Sequence, residues 1–170
     1  MIRVEKLNTL PSSHTLGPLD RDLPGLMKIH LEVDGEKILS SRLVTGFTHK
    51  ALEKTLEHLD WFSSIVAVDR IDSEASIFYE TAFFQAVEEI CNILVPRRAQ
   101  VIRLILCELN RIQCHLASLA RLCATLEYDT ASKYLLRERE LILDLFELMT
   151  GSRFNIGFLR VGGVAFDITE

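Results

Sequence analysis

The stretch Arg97–Glu127, RRAQVIRLILCELNRIQCHLASLARLCATLE, decides how this chain is read. Ile102, Ile105, Leu109, Ile112, Leu116, Leu119, Cys123 and Leu126 recur in it at steps of three and four, the spacing that lines one face of an α-helix. A long amphipathic helix is expected, opened by Pro96 and burying that stripe.

Helical periodicity continues on both sides. In HKALEKTLEHL (residues 49–59), Ala51, Leu52, Leu56 and Leu59 share one side; SEASIFYETAFFQAVEEI (73–90) reads as a helix with Ser73 as N-cap and Glu74 in its first turn. KYLLRERELILDLFELMT (133–150) ends at Gly151, a residue suited to a left-handed cap. The remaining tail, RFNIGFLRVGGVAFDITE, is glycine-rich and reads as lacking a closing element. Several helices are apolar on more than one side, VIRLILCEL and LILDLFELM especially, which implies burial against further material.

The N-terminal third has a different rhythm. MIRVEKL alternates weakly, and PSSHTLGPLDRDLPG (11–25) packs three prolines and two glycines into fifteen residues, which predicts a loop. LMKIHLEV, then Asp34-Gly35, then EKILSSRLV predicts a β-hairpin, since a D-G pair adopts the positive φ that tight turns need. Its apolar face, Leu26 or Met27 with Ile29, Leu31 and Val33, requires cover. The fold class is therefore α+β: a small N-terminal antiparallel sheet over residues 1–47, then a helical bundle of about four helices with its tail over 48–170, forming one structural domain.

Composition narrows the function. Hydrophobic residues at 48% and charged residues at 25% describe a globular chain rather than a disordered one. A net charge of −5 with no clustered Lys and Arg excludes a nucleic-acid partner. The opening MIRVEKLNTL lacks the apolar core of a secretory signal, and no run approaches the roughly 18 apolar residues of a membrane span, so a cytosolic protein without a direct span is expected. Cys91, Cys107, Cys114 and Cys123 form no C-x-x-C pair, and two helical turns between Cys107 and Cys114 amount to roughly 10 Å, too far for one tetrahedral zinc. No metal site is expected, and the thiols read as small hydrophobes.

Candidate chemistry is sparse. Glu108, Arg111 and His115 follow at three and four residues along one stripe; this permits a proton relay, but equally an intrahelical ion pair beside a half-buried histidine, the reading the pattern favours. Glu53-Lys54 and Glu57-His58 read as a solvated face. Nucleophile elbows, phosphate loops and dinucleotide fingerprints are absent. Gly162-Gly163 is either a tight turn or a close backbone approach, the turn being favoured.

Beyond these patterns, GFTHKALEK, DRID, VPRRAQVIRLILCELNRIQCHL, RERELILDLFELMTGSRF and LRVGGVAFD occur in the order and spacing of the large quinone-site subunit of respiratory complex I, and from about Gly17 onward the chain resembles the N-terminal half of that family. The family is related to the large subunits of nickel–iron hydrogenases. The resemblance implies a subunit that pairs with an iron–sulfur subunit on the cytoplasmic face of a membrane complex, with quinone reduced between the two and the cluster held by the neighbour.

It also implies departures. Where hydrogenases place two nickel-binding cysteines after the R-x motif, this chain has Asp72 and Ala75, which supply no thiolate. Where complex I has a quinone-bonding tyrosine, it has Ser73, whose hydroxyl is shorter. Asp20 and Pro24 stand at the two histidines of the family's G-P-x-H-P-x-x-H-G loop; Thr125 stands at an aspartate that orients the second of these, and Asn155 at a histidine beside the cluster. His49, Glu53, Lys54, Arg70, Asp72, Glu108, Arg111, His115, Arg137 and Gly163 match, and Arg70 corresponds to an arginine near the cluster.

The expectation is a peripheral subunit of a complex I-like assembly that scaffolds an iron–sulfur neighbour, binds no cofactor and has lost its catalytic ligands, with a second polypeptide supplying the C-terminal half. Two rivals stand beside it: quinone reduction retained through substituted donors such as His14 or Asp20, and a stand-alone relative acting in assembly or interaction.

Overall fold

In the computed structural model, which describes residues 11–19 and 26–168, the Asp34-Gly35 pair turns the chain as its signature predicts. Three strands, β1 (Ser12–Leu16), β2 (Lys28–Asp34) and β3 (Lys37–Val44), pair antiparallel in that order, with Asp34 opposite Lys37 and Gly35 at φ +61°. β1 corrects the loop expected over residues 11–25: Ser12 to Leu16 pair with Val33 to Ile29, and the Thr15 hydroxyl bonds the His30 ring at 3.1 Å. All five β1 residues are exposed, so no inside–outside alternation marks the strand; its partner defines it. Ile29, Leu31 and Val33 are half-buried. The MIRVEKL stretch, Asp20 and Pro24 lie outside the described residues.

The chain divides into two units, Met1–Lys50 and Ala51–Glu170. The second unit holds five helices among the described residues: α1 (Leu52–His58), α2 (Trp61–Val68), α3 (Ser76–Cys91), α4 (Arg97–Thr125) and α5 (Asp129–Thr150). α2 is the helix beyond the expected four. The Asp60 carboxylate caps it by accepting from Ser63 N at 2.7 Å, and Ser64, Ile65 and Val68 face inward. α3 begins later than expected: Ser73 is not its cap, because the Asp72 carboxylate accepts from Glu74 N at 2.9 Å and holds residues 72–74 in a turn before the helix. Gly151 closes α5 at φ +79°, as its position implies.

The tail also has structure that the sequence pattern did not reveal. β4 (Leu159–Arg160) and β5 (Gly163–Val164) form a two-stranded hairpin, and Ile156, Phe158 and Leu159 enter a core with Ile65, Ile77, Phe84, Ile102, Leu106, Leu143 and Phe146. Two carboxylates on α3 hold this tail. Glu80 accepts from Gly157 N at 2.9 Å and Leu159 N at 3.2 Å, and Glu88 accepts from Gly162 N at 2.7 Å. A buried segment with so little ladder must find such partners for its amides. Arg103 on α4 completes the grip: its guanidinium meets both oxygens of Glu88 at 2.6 and 2.9 Å, and donates to the carbonyls of Arg160 and Gly163. Gly162-Gly163 is the turn, with Gly162 at φ +81°, and Arg103 grips it through the Gly163 carbonyl.

α4 buries only part of the expected stripe, Ile102 in the core and Leu109 partly against it, and turns much of the rest outward. Ala99, Ile102, Arg103, Leu106, Cys107, Asn110, Gln113, Ala117 and Ala120 point inward, whereas Ile105, Ile112, Leu119 and Leu126 are exposed. From Ile105 onward the buried series lies one residue past the expected stripe, a rotation of about 100°. Arg103 and Asn110 are drawn inward by specific acceptors, and the small Ala117 and Ala120 suit the approach of α5, whose Ser132 donates to the Ala120 carbonyl at 2.9 Å. Leu141, Leu145 and Leu148 are likewise exposed on α5. No helix of the described residues is long and apolar enough to cross a membrane.

The two faces of α4 respond differently to truncation. Leu106→Ala is expected to lower unfolding stability by about 2–5 kcal/mol, and Ile112→Ala by less than about 0.5 kcal/mol. Equal losses in denaturant titrations contradict the observed rotation. Removing one partner of the buried ion pair, as in Arg103→Met, is expected to cost about 3–5 kcal/mol because Glu88 stays behind as an uncompensated charge. A loss below 1 kcal/mol (roughly the worth of an exposed pair) rules that out. Arg103 holds the Glu88 carboxyl below the usual range, so the pair's contribution is present above the ordinary glutamate pKa and disappears as pH falls through the lowered one.

Candidate functional site at the Arg70–Asp72 turn

The segment Asp69-Arg70-Ile71-Asp72-Ser73-Glu74 joins α2 to α3 and is fastened on two sides. Towards α4, the Glu74 carbonyl accepts from Asn110 Nδ2 at 2.8 Å and from the Cys114 thiol at 3.0 Å, while its carboxylate pairs with Arg121 at 2.6 and 3.0 Å. Asn110, Cys114 and Arg121 stand four and seven residues apart, on one face of the helix. The Arg121 hydrogen bond holds the Glu74 carboxyl below its ordinary range. Towards the tail, Asp69 is buried near Ser76, Glu80 and Gly157, and burial pushes its carboxyl up.

This double fastening leaves Arg70, Ile71, Asp72 and Ser73 exposed between two anchored ends. Ser73 borders a shallow cleft with Asn110, Gln113, Arg153, Phe154 and Ile156. Asn155, beside that cleft in sequence, adopts φ +51°, and its side-chain oxygen is buried with no partner among the described residues. Thr125 lies at the end of α4, where its hydroxyl donates to the Arg121 carbonyl at 3.1 Å.

The expected polar network divides. Glu108 and Arg111 form an exposed ion pair at 3.1 Å, with the Arg111 guanidinium 5.5 Å from the Phe78 ring, while His115 is exposed and outside the pair. Among the described residues, the Asp72 carboxylate accepts a hydrogen bond within its own turn, from Glu74 N. His49 and His14 belong to the first unit, and Glu53 is exposed on α1; the Lys54–Glu57 pair is a solvated one. These residues form no buried relay, because the face of α4 that carries Glu108, Arg111 and His115 turns outward.

Three groups of polar residues escaped the sequence reading. Glu80 and Glu88 lie in phase with Ile77 and Phe84, and carboxylates placed on an apolar stripe are the signal that could have singled them out. Asn110, Gln113 and Cys114 carry a weaker form of the same signal on α4. Arg153 contacts Glu140, Asp144 and Glu147, which the helix presents on one side, so RERE–DLFE–TGSR reads structurally as a carboxylate clamp closing the end of α5. Arg137 pairs with Glu138 and covers the Tyr134 ring, outside that clamp. Cys107 bonds the Thr81 hydroxyl at 3.4 Å, and burial raises its thiol pKa, which keeps it protonated and unreactive.

Residues 126–170 match the family model of the respiratory-chain NADH dehydrogenase 49 kDa subunit. The D-type subunit of NADH-quinone oxidoreductase from Campylobacter curvus is 42% identical over 154 residues, covering 91% of this chain and 38% of that protein. The corresponding protein of Rhodococcus jostii is 40% identical over 157 residues, again 91% of this chain and 36% of the relative. Among solved structures, a chain of the membrane-bound sulfane sulfur reductase, an archaeal respiratory membrane complex, superimposes with a TM-score of 0.89 at 29% identity, covering 96% of this chain and 44% of that one. The chain is therefore a homologue of the 49 kDa, D-type subunit of respiratory complex I along nearly all its length, while spanning well under half the length of these relatives.

Proposed function

We propose that the chain is a peripheral subunit of a membrane-associated, complex I-like redox assembly, where it scaffolds a neighbouring iron–sulfur subunit and carries no nickel or quinone chemistry of its own. The observation that supports this reading is the turn itself. Arg70 and Asp72 are retained on a segment anchored by Asn110, Cys114 and Arg121, yet the side chains around it are not those that bind the reacting groups. Asp72 and Ala75 supply no thiolate for nickel, and the Ser73 hydroxyl is shorter than the tyrosine whose place it takes. Asp20 and Pro24, at the histidine positions, lie outside the described residues.

What the turn retains is the positive charge of Arg70. A guanidinium beside a redox centre stabilises the reduced, more negative state. The exposed apolar faces of α4 and α5 supply the second element of the proposal: a partner polypeptide covers Ile105, Ile112, Leu119, Leu141, Leu145 and Leu148, as the greater length of the relatives would allow.

Affinity purification of the tagged chain from its native cells is expected to recover an iron–sulfur protein with a cluster visible by electron paramagnetic resonance. In that particle Arg70→Gln shifts the cluster's midpoint potential downward by on the order of tens of millivolts, and Ser73→Ala leaves electron transfer unchanged. A purified particle without iron, or an unshifted potential, overturns the proposal.

A further inference from the structure

We propose that Asp69 and Glu80 form a buried proton-binding site, in which a single proton shared between the two carboxyls locks the Arg70 turn to the tail segment at Gly157–Leu159. Asp69 is 5% exposed and Glu80 is fully buried. Each carboxyl lies close enough to act on the other's proton affinity. Two carboxylates in such a place cannot both stay ionised, since like charges in a water-poor site repel strongly and neither has bulk water to screen it.

The surroundings supply too little compensation. Gly157 N and Leu159 N donate to the two oxygens of Glu80, and the Ser76 hydroxyl and the Gly157 amide act on Asp69. One oxygen of Asp69, Oδ1, has no hydrogen-bond partner among the described residues. A buried acceptor in this condition is short of one donor, and a proton between the carboxyls provides it while removing one negative charge.

Charged groups facing the pair are few among the described residues. From the turn comes Arg70, whose cation favours an ionised Asp69 but stands exposed in solvent; from α4 comes Cys107, a neutral thiol; and from the tail come only backbone amides. None replaces the proton. In agreement, burial is the largest influence on both acids, and Glu80 is pushed up to about 7. The pair thus exchanges its proton across the physiological range, beside the turn on which Arg70 stands.

The sign of the pH dependence follows. A carboxyl whose pKa rises on folding contributes fully below its ordinary value, 4.5 for glutamate, and loses that contribution as pH rises through about 7. This opposes the Glu88–Arg103 pair, which weakens in acid.

The test is a ¹³C NMR titration of the side-chain carboxyls in the full chain. One carboxyl of the Asp69–Glu80 pair is expected to titrate near 7; midpoints below about 5 for both overturn the proposal. Asp69→Asn supplies an N–H where the proton stood, so its stability between about pH 5 and 8 is expected to fall less steeply than that of the unmodified chain, and Glu80 is expected to titrate at lower pH. An unchanged slope in the variant also overturns it. Should the variant fail to fold, the titration of the unmodified chain decides alone.

Discussion

Two carboxylates on one face of α3 hold the second unit together. Glu80 and Glu88 sit about two turns apart in phase with Ile77 and Phe84, where apolar residues are the norm; Glu80 accepts from the amides of Gly157 and Leu159, and Glu88 from that of Gly162. Without them the segment from Gly157 to Gly162 has no way to enter the core, because its amides would be stripped of water and left unpaired. Ile156, Phe158 and Leu159 complete the core only because those amides are satisfied. The two carboxylates meet burial differently: Glu88 stays ionised against a two-pronged guanidinium, while Glu80, next to a second acid, is pressed towards neutrality.

The same pair explains why parts of the molecule were legible and others were not. Asp34-Gly35, Pro96 and Gly151 act through their own backbone preferences, so the hairpin, the start of α4 and the end of α5 follow from local chemistry. β1 follows from its pairing with β2, and the short β4–β5 hairpin from Glu88 and Arg103 far back along the chain; Ser12–Leu16 bears no mark of its pairing. At the candidate site, the sequence pointed to the Arg70–Asp72 turn but to the wrong supports. Glu108, Arg111 and His115 share a visible stripe that faces solvent, whereas Asn110, Cys114 and Arg121 hold the turn from the neighbouring stripe.

α4 shows why hydrophobicity alone placed its buried side only in part. Its richest stripe contains Ile105, Ile112 and Leu119, yet the side that packs is set by Arg103, which needs Glu88, and by Asn110, which needs the Glu74 carbonyl. Buried polar groups cost heavily unless their partners are met, so a few such pairings fix the orientation of a helix with two apolar sides. The outward leucines and isoleucines are then exposed on this chain, and the relatives it matches are more than twice as long.

The bonds between α3 and the tail join residues 77 and 74 positions apart, Glu80 with Gly157 and Glu88 with Gly162. The α4–α5 hairpin is therefore a closed excursion, begun and ended by the same non-covalent latch. The entropy of closing such an excursion rises only with the logarithm of its length, so that doubling it costs about 0.6 kcal/mol. Extra residues at the Leu126–Tyr128 tip would consequently be inexpensive, and evolution could decorate that end of the bundle without loosening the latch.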